Sequence, residues 1–394
     1  MTESSSHHRR HDVDALRLLA VLLLVPFHTA RLFDAEPWHM KDLDAPYWAA
    51  DFLIRSLNVA QMSLLFLLAG MSAAWALQRR SPGAFLKERA ARLLLPLLIG
   101  IFLLALPQVW LERISPQVPL RMSPQQAEGG FLAFLGDYLT CCYPVANLSW
   151  HHLWFLPYLF VYCVPLVLLA GSGGAAGLAR WTARAPWRLF LFGLSLIAVE
   201  LALRPTFPSS HNLVWDWANH AHYALLVLFG WWLGRNPVLE AALLQVRRSA
   251  LAAALLFAAL WFAAMDPQIG GFGLIELSHP LRHVARTAAE WCLLLALLAY
   301  GRLLFTAPLV GLWRLVPLIL PLYLFHQTVI VFLGWLWLDW TGAPWVKAAA
   351  IGGASLALSV VLAWGCSRFA LTRVATGLPL HRRAPSRLQG SPAA

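Results

Sequence analysis

The chain has 394 residues, of which 59% are hydrophobic and only 12% are charged. Soluble globular proteins carry about 25% charged residues. The composition therefore excludes a water-soluble globular domain, a disordered chain and a collagen-like fibre, and it favours an integral membrane protein. Five cysteines without regular spacing do not indicate a disulfide scaffold. The net charge of +11 could indicate a nucleic-acid partner, but the positions of the basic residues decide that question.

Apolar stretches long enough to cross the roughly 30 Å hydrocarbon core of a bilayer recur along the chain. No regular alternation of polar and apolar residues is present, so helices are expected rather than strands. We therefore predict an all-α polytopic membrane helical bundle of about ten transmembrane helices, forming a single transmembrane domain over 15–371. A leader over 1–14 and a basic, disordered tail over 372–394 flank this domain. The predicted spans are 15–33, 52–77, 92–111, 152–170, 187–203, 221–234, 249–265, 287–305, 314–338 and 345–370.

The positions of lysine and arginine predict how the chain lies across the membrane. With the N-terminus in the cytoplasm, 21 of the 30 basic residues fall in cytoplasmic segments and nine fall outside. Five acidic residues fall inside and 14 outside, which gives net charges of +16 and −5 for the two sides. Cytoplasmic loops of membrane proteins are enriched in basic residues. The sequence thus predicts that the leader, the tail and both termini are cytoplasmic, and it indicates no nucleic-acid partner.

The first predicted span carries ionisable residues, which are costly in a membrane and indicate function by default. Arg17 and His28 are eleven residues apart, so in a helix they lie within about 20° of one face and about 16 Å apart along the axis. Asp14, three residues before Arg17, shares that face. Arg17 alone could be an interfacial arginine, and His28 alone could be a hydrogen-bonded core histidine. Their combination on one face favours a functional role.

A second cluster of basic residues precedes the third predicted span. Arg89 and Arg92 are three residues apart, so they share a helix face where the span leaves the cytoplasm. Guanidinium groups bind phosphates well, and two of them on one face form an anion site. The alternative is a cluster of positive charges that only fixes the orientation of the chain.

Histidines and a tryptophan mark the predicted outer half of the bundle. Trp150, His151 and His152 enter the fourth span from outside. The two adjacent histidines point to different faces, which does not favour a shared metal ion, and we predict no metal site. His326 lies near mid-membrane in the ninth span, where a lone histidine could equally be packed in the core.

Two further groups lie near predicted outer ends of spans. Glu200 and Arg204 are four residues apart in the fifth span, a spacing that allows an ion pair on one helix face. This pair could be structural or could face a substrate. A second group crowds the outer end of the sixth span and could stack on a sugar or form the aromatic belt at the membrane surface. Its members are Trp215, Trp217, His220 and His222.

Together these motifs resemble the acyltransferase 3 family of integral membrane proteins. The resemblance rests on Arg17 and His28 with ten residues between them, on the Arg89 and Arg92 pair, and on residues 152–156. It extends over about 12–370 and is closest to the glucan biosynthesis protein C branch of the family. The stretches similar to that branch are residues 25–28, 38–39, 63–70, 104–108 and 324–326.

The resemblance implies a ten-helix enzyme in the bacterial cytoplasmic (inner) membrane. Such an enzyme moves an acyl group, acetyl or succinyl, from cytoplasmic acyl-CoA to a hydroxyl of an extracytoplasmic carbohydrate such as a periplasmic glucan. In the family the histidine of the first span, here His28, is catalytic. The arginines, here Arg17, Arg89 and Arg92, contact the donor. Acyl-CoA is thus a donor substrate, and no permanently bound cofactor is implied.

Two positions depart from that branch. Gln327 follows His326 where a second histidine is expected, and Ala69 precedes Gly70 where serine is expected. These departures leave the family motifs intact, but they leave the acyl group and the acceptor open.

Two functions of different classes fit these residues. In the first, an acyltransferase, His28 is the general base. The candidates for orienting it, or for a second base, are His152, His326 and Glu200. The residues expected to contact the acceptor are Arg204, Trp150 and His151. In the second, a proton-coupled transporter of a small solute or glycan precursor, His28, Glu200 and His326 form a proton relay. The expected partners are acyl-CoA, a carbohydrate and the lipid bilayer, and the oligomeric state is left open.

Overall fold

A computed structural model describes residues 10–42, 45, 47–115, 129–143, 146–309, 311–337 and 339–380. Within these ranges the regular structure is helical, and they contain no strand. Most of the predicted leader and the tail beyond residue 380 lie outside them. The α-helices are α1 (His11–Leu22), α2 (Leu24–Ala30), α3 (Trp48–Asn58), α4 (Gln61–Leu77), α5 (Pro82–Gly100), α6 (Leu106–Ile114), α7 (Gly130–Tyr138), α8 (Phe155–Leu166), α9 (Ala176–Arg184), α10 (Phe192–Leu203), α11 (Trp217–Arg235), α12 (Val238–Ala263), α13 (His279–Leu304), α14 (Ile319–Leu336), α15 (Pro344–Cys366) and α16 (Ala370–Ala375).

Nine helical segments of the described residues are long and apolar enough to cross a membrane. Each overlaps one of the predicted spans, so the prediction of a polytopic helical membrane bundle is confirmed. The nine segments are His11–Ala30, Trp48–Leu77, Pro82–Ile114, His151–Leu169, Pro186–Leu203, Val238–Ala263, His279–Leu304, Leu312–Leu336 and Pro344–Cys366.

The remaining predicted span, 221–234, lies within α11, a helix of 19 residues. This helix is less apolar than the other nine because its first turns carry polar residues such as Asn219 and His222. It packs closely along α4, where Gly70 and Gly230 let the two backbones touch. A Cβ atom on either glycine would collide with a carbonyl group of the other helix. Close contact through small residues is typical of helix pairs in membranes, so α11 belongs to the bundle.

Two spans change their helical geometry near candidate site residues. The first passes from α1 to α2 at Leu23, so Arg17 and His28 lie on separate helical segments. The third passes from α5 to α6 through a π-helical turn at Ile101–Ala105. Such turns are frequent at functional sites and bend the helix. The turn sets the direction of α6, which carries Glu112.

Buried ion pairs hold residues 31–42, which follow α2. Asp34 pairs with Lys41 within this stretch, and Asp42 joins it to the bundle by pairing with Lys347 near the start of α15. Buried charges persist in proteins when they are paired. These pairs thereby hold His39, which lies in the same stretch, in place.

After the last span the chain forms α16 and then contacts α5. Nε of Arg92 donates to the backbone carbonyl of Gly377 at 3.2 Å, and Leu378 is buried. Residues 372–380, the first part of the tail for which the sequence predicts disorder, therefore hold a defined position beside α5. Residues 381–394 lie outside the described residues.

Candidate active site

A cavity of about 1310 Å³ lies at the end of the bundle that the sequence assigns to the outside. Its wall has two chemically different regions. The first, called here the histidine region, contains His28, His39, His151, His152 and Gln327. The second, called here the charged region, contains Ser63, Glu200, Arg204, His222, Arg286 and Glu290. Two of the predicted catalytic residues, His28 and Glu200, therefore line the same cavity in different regions. The other predicted site residues that line it are His152, Trp150, His151 and Arg204.

His28, on α2, lines the cavity in the histidine region. Its ring stacks on Trp38, with ring centroids 6.0 Å apart, and its centroid is 5.1 Å from that of His326. Its Nδ1 is buried and has no hydrogen-bond partner among the described residues. An imidazole with an unpartnered nitrogen beside a cavity can exchange a proton with a bound group.

His326, on α14, is buried next to His28. Its Nδ1 is 2.7 Å from the carbonyl oxygen of Tyr323. A carbonyl can only accept, so Nδ1 carries the hydrogen and donates it. The basic nitrogen is then Nε2, which is buried and has no hydrogen-bond partner among the described residues. His326 thus holds a proton-free nitrogen close to His28.

His152 belongs to the same network. Its Nε2 donates to the carbonyl of Leu324 at 2.9 Å, and its ring centroid is 5.2 Å from that of His326. The other ring nitrogen is 3.5 Å from the amide nitrogen of Gln108, on α6. Gln327 donates to the side-chain oxygen of Gln108 at 2.9 Å. The histidines are therefore linked through two glutamines, which explains how the glutamine after His326 fits the site.

The structure adds a pair that the sequence analysis does not assign to the site. Nδ1 of His39 is 2.7 Å from Oε2 of Glu112, and Gln327 donates to Nε2 of His39 at 3.0 Å. Tyr143 donates to the other oxygen of Glu112 at 3.0 Å. Burial and the Glu112 carboxylate raise the pKa of Tyr143, so the phenol keeps its proton. The one sequence signal for this pair is the similarity of residues 38–39 to the glucan branch.

His39, Glu112 and His151 are the one group of described residues that could hold a metal ion, with ligand atoms within 4.8 Å of one another. The sequence predicts no metal site. The His39–Glu112 contact has hydrogen-bond length, and the Arg113 guanidinium, 3.9 Å from Glu112, would oppose a cation. Hydrogen bonding accounts for this geometry, and we assign no metal to it.

The remaining outer residues of the fourth span also line the cavity. Trp150 donates from its indole nitrogen to the carbonyl of His211 at 3.0 Å. The His151 ring lies 4.6 Å from that of His39 and 4.9 Å from that of Tyr143. His151 and its neighbour His152 thus contact different groups, in keeping with the expectation that they point in different directions.

In the charged region, the predicted ion pair between Glu200 and Arg204 is present. Arg204 donates two hydrogen bonds to Glu200, at 2.9 and 2.8 Å. His222 lies between Glu200 and Glu290, with ring nitrogens 3.1 and 2.7 Å from their carboxylate oxygens. From the sequence, His222 belongs only to the group at the sixth span that could contact a sugar, and Glu290 carries no signal. The contacts of Glu200 are within this region, so it lies apart from the group around His28.

The three arginines lie at the opposite end of the bundle, and none of them lines the cavity. Arg17 donates to the hydroxyl of Ser72 at 2.6 Å, and the charges of Arg89 and Arg92 are close enough to act on it. Nε of Arg89 is buried without a hydrogen-bond partner among the described residues. The arginines of the first and third spans therefore lie at the same end of the bundle.

Comparison with known proteins supports the chemistry of an acyl-group transfer. A family profile described as an acyltransferase domain, acyltransferase 3, matches residues 10–364. Glucans biosynthesis protein C of Escherichia coli is 27% identical over 157 residues, which cover 39% of this chain and 37% of that protein. The protein of the same name from Salmonella schwarzengrund is 28% identical over 100 residues, which cover 25% of this chain and 26% of that protein. The chain thus matches between 26% and 37% of these relatives' length. Because the profile matches nearly all of it, the chain belongs to the acyltransferase 3 family and is a membrane acyltransferase.

Proposed function

We propose that this membrane acyltransferase moves an acyl group from acyl-CoA to a hydroxyl of a carbohydrate, with His28 as general base. One observation carries the proposal: the two ends of the first span bear different chemical groups. His28 lines a large cavity at one end. Arg17, eleven residues earlier, lies with Arg89 and Arg92 at the other end.

The arginine end suits the donor. Coenzyme A carries several phosphates, and guanidinium groups bind phosphate through charge-assisted hydrogen bonds. Arg89 is the best placed of the three, because its Nε has no partner among the described residues. Acyl-CoA is made in the cytoplasm, so this end would face the cytoplasm of a bacterial inner membrane. With α11 counted as a tenth crossing, both termini would then be cytoplasmic, in agreement with the charge distribution.

The reaction at His28 would follow general-base catalysis. His28 accepts the proton of the acceptor hydroxyl, and the oxygen attacks the thioester carbonyl. The tetrahedral intermediate then breaks its carbon–sulfur bond, and the proton passes from His28 to the departing CoA thiolate. The products are an ester and free CoA. The bundle interior keeps water away from the thioester until the acceptor is bound.

His326 is the best candidate for orienting His28. Its proton-free Nε2 can accept a hydrogen bond from one N–H of His28, which would leave the other His28 nitrogen basic. This is the role of a buried group that fixes a catalytic histidine in one tautomer. His152 would support His326 from its other side, where the two ring centroids are 5.2 Å apart.

We propose a glucan as the acceptor because the curated relatives carry the name glucans biosynthesis protein C. The acceptor would enter the outer cavity, where Trp150, His151 and Arg204 line the wall. The acyl group would be acetyl or succinyl. Family membership favours acyl transfer over proton-coupled transport, the other function that buried histidines and carboxylates can serve.

A combined genetic and biochemical experiment tests this function. Exported glucans from a strain without this protein should lose acyl groups, read by mass spectrometry, and the gene should restore them. The purified protein should bind acyl-CoA saturably. Unchanged acylation in the deletion strain, or uptake of a solute driven by a proton gradient without acyl-CoA binding, would contradict the proposal.

A further inference from the structure

We infer that the charged region of the cavity is a binding subsite for a neutral sugar ring. That this sugar belongs to the acceptor rests on the proposed function. The reaction at His28 uses no contact of the charged region, and these contacts are the basis for the subsite.

The charged region contains buried polar atoms with unused hydrogen-bonding capacity. One oxygen of Glu290 accepts from His222 and Ser63. Its other oxygen, Oε2, is buried without a hydrogen-bond partner among the described residues, and Nη1 of Arg286 is 3.8 Å from it. Nη1 of Arg204 is also buried and unpartnered among these residues. Buried polar groups are normally hydrogen-bonded, so we expect a bound ligand to form a hydrogen bond with each of these two atoms.

These two atoms differ in what they require. The carboxylate oxygen of Glu290 can only accept a hydrogen bond, and the guanidinium nitrogen of Arg204 can only donate one. A hydroxyl group does both, and a sugar ring presents several hydroxyls in fixed directions. A ring bound here could therefore satisfy both atoms at once.

The unpartnered carboxylate oxygen disfavours an anionic ligand. Glu200 is paired with Arg204, and Glu290 lies beside Arg286. His222 contacts both carboxylates. An anion placed against Oε2 of Glu290 would be repelled by this buried carboxylate, whereas a neutral hydroxyl can donate a hydrogen bond to it.

Tryptophan at the cavity gives a second, independent indication of a sugar. Trp215 lines the cavity, although its side chain is 68% exposed. An indole face offers the flat apolar surface on which a sugar ring stacks. Trp217, two residues later, is 53% exposed but does not line the cavity. The sequence leaves both residues between sugar stacking and the aromatic belt, and the structure singles out Trp215 for the first role.

Calorimetric titration of the full-length protein in lipid nanodiscs tests this inference, with a β-linked glucose hexasaccharide as the ligand and no acyl donor. We expect saturable binding by the wild type. Glu290→Gln should weaken it at least about tenfold, the size of one hydrogen bond to a charged group. Trp215→Ala should also weaken it, whereas the matched variant Trp217→Ala should bind as the wild type does.

Three results would overturn the inference: no saturable binding, equal affinity in the wild type and Trp215→Ala, or tighter binding of a hexasaccharide carrying carboxylate substituents. If Glu290→Gln does not fold, the hexasaccharide affinities of the two tryptophan variants still test the inference, because both side chains are exposed. The titration contains no acyl donor, so it is separate from the test of function. A protein that binds the hexasaccharide but never acylates it would refute the proposed function and keep the subsite.

Discussion

The two ends of the first span carry side chains with different chemical properties. At the outer end, hydrogen bonds to backbone carbonyls fix the rings of His152 and His326. At the inner end, Arg92 donates to the backbone carbonyl of Gly377, and Nε of Arg89 is buried without a hydrogen-bond partner among the described residues. The outer end thus presents imidazoles, which can exchange protons near neutral pH, whereas the inner end presents guanidiniums, which stay charged and bind phosphate. The proposed function uses this difference, with proton transfer at the outer end and donor binding at the inner end.

Replacing the proposed base should have the largest effect. In His28→Ala we expect the transfer rate to fall by about 10²–10⁴-fold, the usual contribution of a general base. Acyl-CoA binding should stay unchanged, because the arginines lie at the other end of the span. Steady-state kinetics and equilibrium binding on purified protein measure the two quantities. Full activity in a well-folded His28→Ala protein would remove His28 from the mechanism.

Replacing an arginine that contacts the donor should weaken donor binding far more than it lowers the maximal rate. Arg89→Ala should weaken acyl-CoA binding by roughly 10- to 100-fold, as expected for a lost hydrogen bond between charged groups. The maximal rate at saturating donor should change far less. Arg79→Ala is the matched control, because this arginine is exposed in the turn before α5. Equal losses in both variants would show that only net positive charge matters at this end.

A smaller effect is expected at the orienting residue. His326→Ala should lower kcat by about tenfold, since the tautomer and position of His28 would no longer be fixed. The KM values for donor and acceptor should stay close to those of the wild type. His326→Gln should recover part of kcat, because its side-chain oxygen can accept a hydrogen bond from His28. A rise in KM without a change in kcat would assign His326 to substrate binding instead.

The smallest effect concerns the stability of the outer end. Asp216 accepts hydrogen bonds from Tyr158 at 2.6 Å and Asn219 at 2.9 Å. Burial raises the pKa of Asp216, but these hydrogen bonds outweigh burial and leave the pKa lowered. Ionised Asp216 therefore stabilises the fold at neutral pH, and this contribution is lost as the pH falls through the lowered pKa.

We accordingly expect Asp216→Asn to lower the Tm at neutral pH by a few degrees. The difference from the wild type should shrink as the pH falls through the lowered pKa of Asp216, because the wild-type carboxylate then becomes neutral as well. Thermal unfolding of both proteins over a series of pH values from neutral to acidic measures this. A difference that grows on acidification would show that the ionised carboxylate does not stabilise the fold.

Much of the fold and part of the site could be predicted from sequence because those signals are local. A long apolar run is visible without knowledge of its neighbours, and nine of the predicted spans coincide with candidate spans in the structure. Arg17 and His28 stood out because ionisable groups are rare in such runs. The Glu200–Arg204 pair could be found because its partners are one helical turn apart.

What the sequence did not show depends on contacts between distant segments. His222 and Glu290 are 68 residues apart and meet through packing of α11 against α13. Glu112 looks like a loop carboxylate, yet α6 continues to Ile114 and points it towards His39. The helix of the sixth predicted span begins with polar residues, so its mean hydropathy does not identify it as a membrane crossing. Its close approach to α4 through glycines is visible only in three dimensions.

The most direct test of the account is whether donor and acceptor act from opposite sides of the membrane. Protein reconstituted in one orientation into vesicles, as checked by protease access to a terminal tag, would receive labelled acyl-CoA on one side and glucan on the other. The account predicts labelled glucan only when acyl-CoA is on the side of Arg89 and Arg92 and glucan is on the side of the cavity. Labelled glucan formed only when both substrates are on the same side would contradict it.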